Sequence, residues 1–203
     1  MSKYQLDDSP IYINGSDVPK NKLNITDPSI IHEVENNLLL QAYKQFSSEL
    51  NEHTQFNEAY FIDIHKKTFE AVYDFAGVYR TVNMSKGDSQ FCLANYLQNE
   101  STRIFNELEK DKYLSLCTNE NEFSQKLAYY QGELIALHPF YELNGRTLRL
   151  FFDMICIYNG YKAIDYSGSI TDGKYIEASI DCVQFADTSK MTKIILNGLE
   201  KIN

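Results

Sequence analysis

The sequence predicts a mainly α-helical protein with one small β-hairpin. Two observations carry that expectation. Apolar residues recur at three- and four-residue spacing through most of the chain, between recognisable helix starts and stops. One stretch only, residues 78–93, combines β-favouring side chains with a turn. At 203 residues, the chain has the length of one domain with a sizeable core.

Residues 1–25 carry Pro10, Gly15 and Pro19, which break any regular period. They are expected to form an extended arm packed on the core, with a short strand at 11–13. Asp27 before Pro28 is a helix start, so a helix is expected over 28–51 with Leu38, Leu39, Ala42 and Phe46 inward. A second is expected over 57–73, carrying Phe61, Ile64, Phe69 and Val72, with Gly77 ending it. Val78-Tyr79-Arg80-Thr81-Val82 reads as a strand, Ser85-Lys86-Gly87-Asp88 as a turn and Gln90-Phe91-Cys92-Leu93 as the return. A third helix spans 94–110. A fourth starts near 119 with Phe123, Leu127, Tyr130, Leu134 and Leu137 on one stripe. It stops at His138, because the residue before Pro139 is pushed out of the α region. The next helix begins near Gly145 and is apolar nearly all round, which makes it the buried central helix. Asn159-Gly160 closes it, and two more helices follow at 172–185 and 188–201. With no repeat and no linker, residues 26–203 are expected to form a single domain.

Composition narrows the function. Lys and Arg number 19 against 28 Asp and Glu, a net charge of −9. Such a chain is repelled by nucleic-acid phosphates and anionic membrane, so neither is an expected partner. There is no apolar signal region at the start and no apolar run of spanning length, so the expected location is cytoplasmic. Four widely spaced cysteines read as reduced thiols, not as a disulfide framework or a zinc set. His32, His53 and His65 read as structural. Residues 168–175 nearly spell the phosphate loop GxxxxGK(S/T), but Tyr175 replaces the hydroxyl that would bind Mg²⁺, and no buried strand precedes them.

The chemistry concentrates in residues 138–149, HPFYELNGRTLR. Asn144-Gly145 allows a tight turn and close backbone approach, and the N–H groups that follow open a helix, which favours an anion. Arg146 and Arg149 share a helix face and can clamp phosphates. Glu142 suits a divalent cation bridging to phosphate. His138 is a general base available at neutral pH. Together these groups suit nucleotidyl or phosphoryl transfer.

This segment resembles the motif of the Fic (Fic/Doc) family, HPFx(D/E)GNGRxxR. Seven fixed residue types and the acidic position match; chance would give this on the order of 10⁻⁹ per start. Residues 20–27, KNKLNITD, and 65–83, HKKTFEAVYDFAGVYRTVN, also look like the family's entry segment and the helix leading to its hairpin flap. The resemblance implies a Fic-fold helical bundle with a flap at about 78–93 and an active-site loop at 138–149. It implies transfer of AMP from ATP to a Ser, Thr or Tyr hydroxyl of a target protein, with release of pyrophosphate. His138 would be the base, Glu142 the Mg²⁺ ligand, and Phe140 the anchor of the loop. Asn144, Gly145, Arg146 and Arg149 would hold the nucleotide, with Lys86 and Gly87 at the flap tip. A catalytically weak Fic fold acting as a binding module, and a Fic enzyme moving another phosphate-containing group, stay open as alternatives, as does an oligomer.

Leu143 stands where the family usually has its first glycine. A left-handed backbone there would be strained by a side chain, and a side chain aimed inward would obstruct the phosphates. Many relatives are held off by a helix bearing (S/T)xxxE(G/N), whose Glu pairs with the arginine matching Arg149. Ser29/Glu33 comes nearest here, but Val34 follows it. Inhibition is therefore expected in trans, from a small antitoxin-like protein.

Overall fold

The computed structural model describes residues 4–6 and 11–202. Residues 1–3 and 7–10 of the expected arm, Pro10 among them, and Asn203 lie outside the described residues.

The helices begin where capping side chains put them. Asp27 Oδ1 accepts the N–H groups of Ser29 (2.8 Å) and Ile30 (3.3 Å) and opens α1, Pro28–Glu49. Asn57 caps α2, Glu58–Phe69, and Asn119 caps α4, Glu120–Leu137, in the same way. A 3₁₀ turn, Ala94–Tyr96, leads into α3, Leu97–Lys110. After α5, Asn144–Tyr158, come α6, Ser167–Thr171, α7, Lys174–Phe185, and α8, Ser189–Gly198. Helix α5 is the central one: Leu150, Phe151, Phe152, Met154 and Ile155 have no exposed surface. Helices α1, α2 and α4 pack on it, and α7 and α8 close over α4.

The hairpin is smaller than expected. Its strands are β2, Met84–Lys86, and β3, Ser89–Gln90, and a third strand, β1, Gln5–Leu6, pairs antiparallel with β2. The sequence at 78–82 favours a strand, yet only Tyr79 bridges, to Phe140. Arg80 is the reason. Its N–H donates to the Pro139 carbonyl (2.8 Å), and its guanidinium turns inward to the carbonyls of Leu137, His138, Val82 and Cys92. The backbone of the segment is pinned to the loop after α4, and the Arg80 side chain ties that loop to Cys92 of the return. The strand expected at 11–13 is a single bridge between Tyr12 and Pro19. Helix α2 stops four residues earlier than expected, and Gly77 serves a close approach, not a helix end. With φ +76, it lies so near Lys66 that a Cβ would sit 2.6 Å from that residue's Cβ.

The loop between α4 and α5 is braced from both sides. Phe140, fully buried, donates its N–H to Asn144 Oδ1 (2.9 Å) and accepts from Asn144 Nδ2 (2.7 Å). His65 of α2 stacks on its ring at 3.9 Å. Gly77 N–H donates to His65 Nδ1 (2.8 Å), so the proton sits on Nε2, which faces the Glu142 carbonyl at 3.1 Å. Burial holds the His65 pKa down at about 4, against a small opposing pull from that carbonyl.

Leu143 adopts φ 65, in the left-handed region. The strain expected of it is present; the obstruction is not. Its side chain is 7% exposed and packs with Val18, Ile31, Phe69, Val72, Tyr73 and Ala76, away from the helix N-terminus it precedes. The left-handed conformation costs roughly 1–2 kcal/mol, and burial of the side chain offsets it by roughly 2.

Two predictions follow from this bracing. Leu143→Ala keeps the strain and loses the packing, so it is the most damaging change, costing roughly 2–3 kcal/mol in urea unfolding. Leu143→Gly relaxes the backbone and costs about 1 kcal/mol less than Leu143→Ala; the reverse order would contradict this account. The second concerns acid. His65 titrates lower in the fold than in the unfolded chain, so its contribution is complete above about pH 6.5 and is lost as pH falls toward about 4. Between about pH 7 and pH 4.5 the wild type is expected to lose roughly 2 kcal/mol more stability than His65→Gln. Equal losses would show that His65 charges freely in the fold.

Candidate active site

His138 caps α4 in the left-handed conformation, φ 45. Its Nδ1 lies 3.3 Å from the Ile135 carbonyl, which can only accept, so Nδ1 carries the proton and Nε2 keeps its lone pair. Nε2 is buried and has no hydrogen-bond partner among the described residues. Phe91 of the return segment stacks on the imidazole at 3.9 Å, and the Tyr4 ring lies 5.1 Å away. Burial pulls the His138 pKa down to about 3; the positive charge of Arg80 adds to this, and Lys86 adds less. The ring is a neutral acceptor.

Beyond the loop, α5 presents its first N–H groups. The first intrahelical bond runs from Thr147 N–H to the Leu143 carbonyl (3.1 Å), so the N–H groups of Asn144, Gly145 and Arg146 precede it. The Asn144 side chain is spent on bracing Phe140. Gly145 is exposed, and a Cβ there would meet only the end of Arg149, at 3.6 Å. The glycine is thus not forced by packing; what it gives is a bare helix N-terminus.

The two arginines are held differently. Arg146 Nη1 donates to Glu35 Oε2 at 2.8 Å, and Tyr73 donates to the other Glu35 oxygen. Glu35, on α1, is 5% exposed. Arg149 lies over the Tyr175 ring at 5.6 Å. Near it, Asp153 accepts from Tyr43 (2.6 Å) and the Ile164 N–H (2.9 Å). Burial lifts the Asp153 pKa to about 6, although those two bonds and Arg149 pull it back.

Glu142 accepts from the Tyr12 hydroxyl and, at 3.2 Å, from the Leu143 N–H. Burial raises its pKa against these bonds, and the charge of Glu35 adds to the rise. Lys86 stands 4.6 Å over the Tyr4 ring, and its charge reaches both His138 and Glu142. Gly87 is exposed at the turn with φ +57 and open space around it, so it serves the hairpin tip. The fold therefore gathers His138, Glu142, Lys86, Arg146, Arg149 and the start of α5 at one junction. Gly87 is the outlier, at the tip of the hairpin that carries Lys86. A cleft of about 480 Å³ lies behind Phe91, lined by Cys92, Arg103, Glu133 and Leu137 among others, but by no residue of the loop itself. Tyr4 and Phe91 cover His138 instead.

Sequence reasoning missed Glu35, Tyr73, Tyr12, Tyr4 and Arg80. Glu35 had a readable signal: it lies four residues after Ile31 and on the same buried stripe as Ala42 and Phe46. The others reach the loop across long separations and leave no local pattern. Glu33 is exposed. The near-miss phosphate loop is ordinary packing: Lys174 pairs with Asp172 at 2.6 Å, and the Tyr175 hydroxyl accepts from Gln131 at 2.9 Å. Among the described residues no helix is long and apolar enough to cross a membrane, and all four cysteines are free.

Known proteins fit this geometry. The Fic/DOC family model matches residues 55–156. The probable protein adenylyltransferase y4lH of Sinorhizobium fredii is 29% identical over 162 residues, which is 80% of this chain and 82% of that protein. Protein adenylyltransferase VbhT of Bartonella schoenbuchensis is 36% identical over 162 residues, 79% of this chain but 33% of that longer protein. The crystal structure of BepC from Bartonella tribocorum with bound AMPPNP superposes with a TM-score of 0.81 at 22% identity, covering 95% of this chain and 97% of that one. The matched half of the chain carries α2, the hairpin, the pinned segment around Arg80 and the loop with His138 and both arginines, and on that ground the chain belongs to the Fic/DOC family.

Proposed function

We propose that the chain is a protein adenylyltransferase, moving AMP from ATP to a hydroxyl of a target protein and releasing pyrophosphate. The adenylyltransferase relatives support this reading. The observation that carries it is the lone pair of His138 Nε2, buried with no hydrogen-bond partner among the described residues, beside the bare N-terminus of α5. Such a nitrogen can take the proton from an incoming hydroxyl. The N–H groups of Asn144, Gly145 and Arg146 would cradle phosphate oxygens, with the helix dipole favouring the negative charge. Arg146, oriented by Glu35, and Arg149, laid on Tyr175, would neutralise charge that grows on the leaving pyrophosphate. Lys86 would close the site from the hairpin, with Gly87 at its tip.

Glu142 fits Mg²⁺. A half-buried carboxylate whose pKa is raised gains from a cation, and Mg²⁺ typically takes one or two carboxylates and fills its remaining positions with phosphate oxygens and water. When bound, the ion would neutralise phosphate charge. Leu143 packs into the core, which removes the steric argument for a non-catalytic module. Residues 26–203 would act as one unit with the arm laid across it. Four free thiols suit a reducing cytoplasm. A small antitoxin-like protein bringing a carboxylate to Arg149 is the regulator this reading favours, since Glu33 faces solvent.

The test is incubation with Mg²⁺, a cell lysate and ATP labelled at either the α or the γ phosphate. Label is expected on protein from the α position only; transfer from γ would make the chain a kinase. His138→Ala is expected to lower transfer by roughly 10²–10⁴-fold while Mg²⁺-ATP binding, followed by calorimetry, persists. Undiminished transfer by folded His138→Ala would remove the base assignment.

A further inference from the structure

Residues 11–20 form a turn that closes on its own backbone. Tyr12 bridges antiparallel to Pro19, Ile13 N–H donates to the Val18 carbonyl (2.9 Å), and Lys20 N–H donates to the Ile11 carbonyl (2.7 Å). Inside the turn, Ser16 Oγ accepts the Val18 N–H at 3.1 Å. Two side chains of this turn grip the loop between α4 and α5, and they do so at adjacent residues. Val18, 1% exposed, packs in the cluster that holds Leu143. The Tyr12 hydroxyl donates to Glu142 Oε1. A glycine at 143 would give Val18 no side chain to pack on there, so Leu143 helps to seat the turn that carries Tyr12.

Glu142 is half-buried, and its long side chain can turn its carboxylate in several directions. Two donors remove that freedom. Tyr12 holds one oxygen, and the Leu143 N–H holds the other at 3.2 Å. With one donor on each oxygen the plane of the carboxylate is set, and each oxygen keeps a lone pair for a cation. A ligand ordered beforehand loses no rotamer freedom when the cation arrives. Tyr73 serves Glu35 in a similar way, but that carboxylate is already committed to Arg146 at 2.8 Å.

We infer that Tyr12 is a positioning residue for the cation site: acting through Glu142, its hydroxyl holds the carboxylate in the orientation that takes Mg²⁺ and so sets how much Mg²⁺ strengthens ATP binding. The inference rests on the place given to Glu142 in the adenylyltransferase reading above. Groups that orient a metal ligand typically matter by roughly 10–100-fold in metal affinity.

Calorimetry of the full chain measures ATP affinity with Mg²⁺ and with the metal removed by EDTA. The ratio of the two isolates the cation, because damage to the fold or to other nucleotide contacts lowers both. Tyr12→Phe keeps the ring and removes the hydroxyl, and it is expected to lower the ratio by roughly tenfold or more. Tyr130→Phe removes a different phenol–carboxylate bond, to Asp111 Oδ2 at 2.9 Å, and is expected to keep the wild-type ratio. A parallel incubation of the wild type with lysate and α-labelled ATP reports transfer. An unchanged ratio in Tyr12→Phe, or an equal fall in Tyr130→Phe, would overturn the inference, while labelled lysate proteins would leave the adenylyltransferase reading standing. A wild type that binds ATP equally with and without Mg²⁺ would remove Glu142 as the cation ligand and this inference with it, and the lysate arm would still decide the transfer reading.

Discussion

A buried guanidinium holds the working half of this molecule together. Arg80 is 2% exposed, yet among the described residues no carboxylate pairs with it; its N–H groups go to four backbone carbonyls. Two of these, Leu137 and His138, end α4, and two, Val82 and Cys92, flank the hairpin. A helix end leaves carbonyls without intrahelical partners, and a charged donor meets them with stronger bonds than a neutral one. Burial draws the Arg80 pKa down to about 10, which still leaves it charged. Loss of the side chain would strand several carbonyls out of reach of water, at a cost of about 1–3 kcal/mol each. One residue thus fixes the hairpin relative to the base, and its charge lowers the base's pKa.

The anionic groups around the loop obey a second constraint. Two carboxylates, the buried Glu35 and the half-buried Glu142, lie close enough for the first to raise the pKa of the second. Each is partly satisfied by a tyrosine, Tyr73 or Tyr12, and Glu35 also by Arg146. Hydroxyl donors lower the cost of the buried charge without cancelling it. The surplus negative charge sits where a cation would be welcome, and the surplus positive charge of Arg149 and Lys86 sits where phosphate would be. Burying mixed charge in this way does little for stability. It pre-organises a site that neither an apolar core nor a solvated surface would provide.

The helices were legible because their determinants are local. Asp27, Asn57 and Asn119 announce helix starts within a few residues, and the apolar character of 148–157 places α5 at the centre. The site loop was legible because its chemistry is contiguous in the chain. What failed was tertiary. Residues 78–82 look like a strand until Arg80 finds carbonyls some sixty residues away. Glu35, Tyr12 and Tyr4 join the loop from the first fifth of the chain, at separations that no periodicity reports. Leu143 divided the two kinds of reasoning. Backbone sterics anticipated its strain, but only the fold could show that its side chain turns into the cluster around Phe69 and Tyr73.

The low pKa of His138 belongs to the covered site, not to the residue. Its first cause is burial, and the rings responsible are Phe91, which stacks on it, and Tyr4, which lies beside it. A base with a pKa of about 3 holds a proton weakly, whereas general bases work best with a pKa near the working pH. Access of water to the imidazole would weaken that first cause and raise the pKa toward its ordinary value of about 6.5. Arg80 and Lys86 keep part of the depression, because they stay with the hairpin and the loop. Strand β1 therefore has two places in the site: it occupies the edge of β2 where another strand could pair, and the residue before it helps to cover His138. The two meet in one tyrosine ring, which precedes the paired strand and lies 5.1 Å from the imidazole.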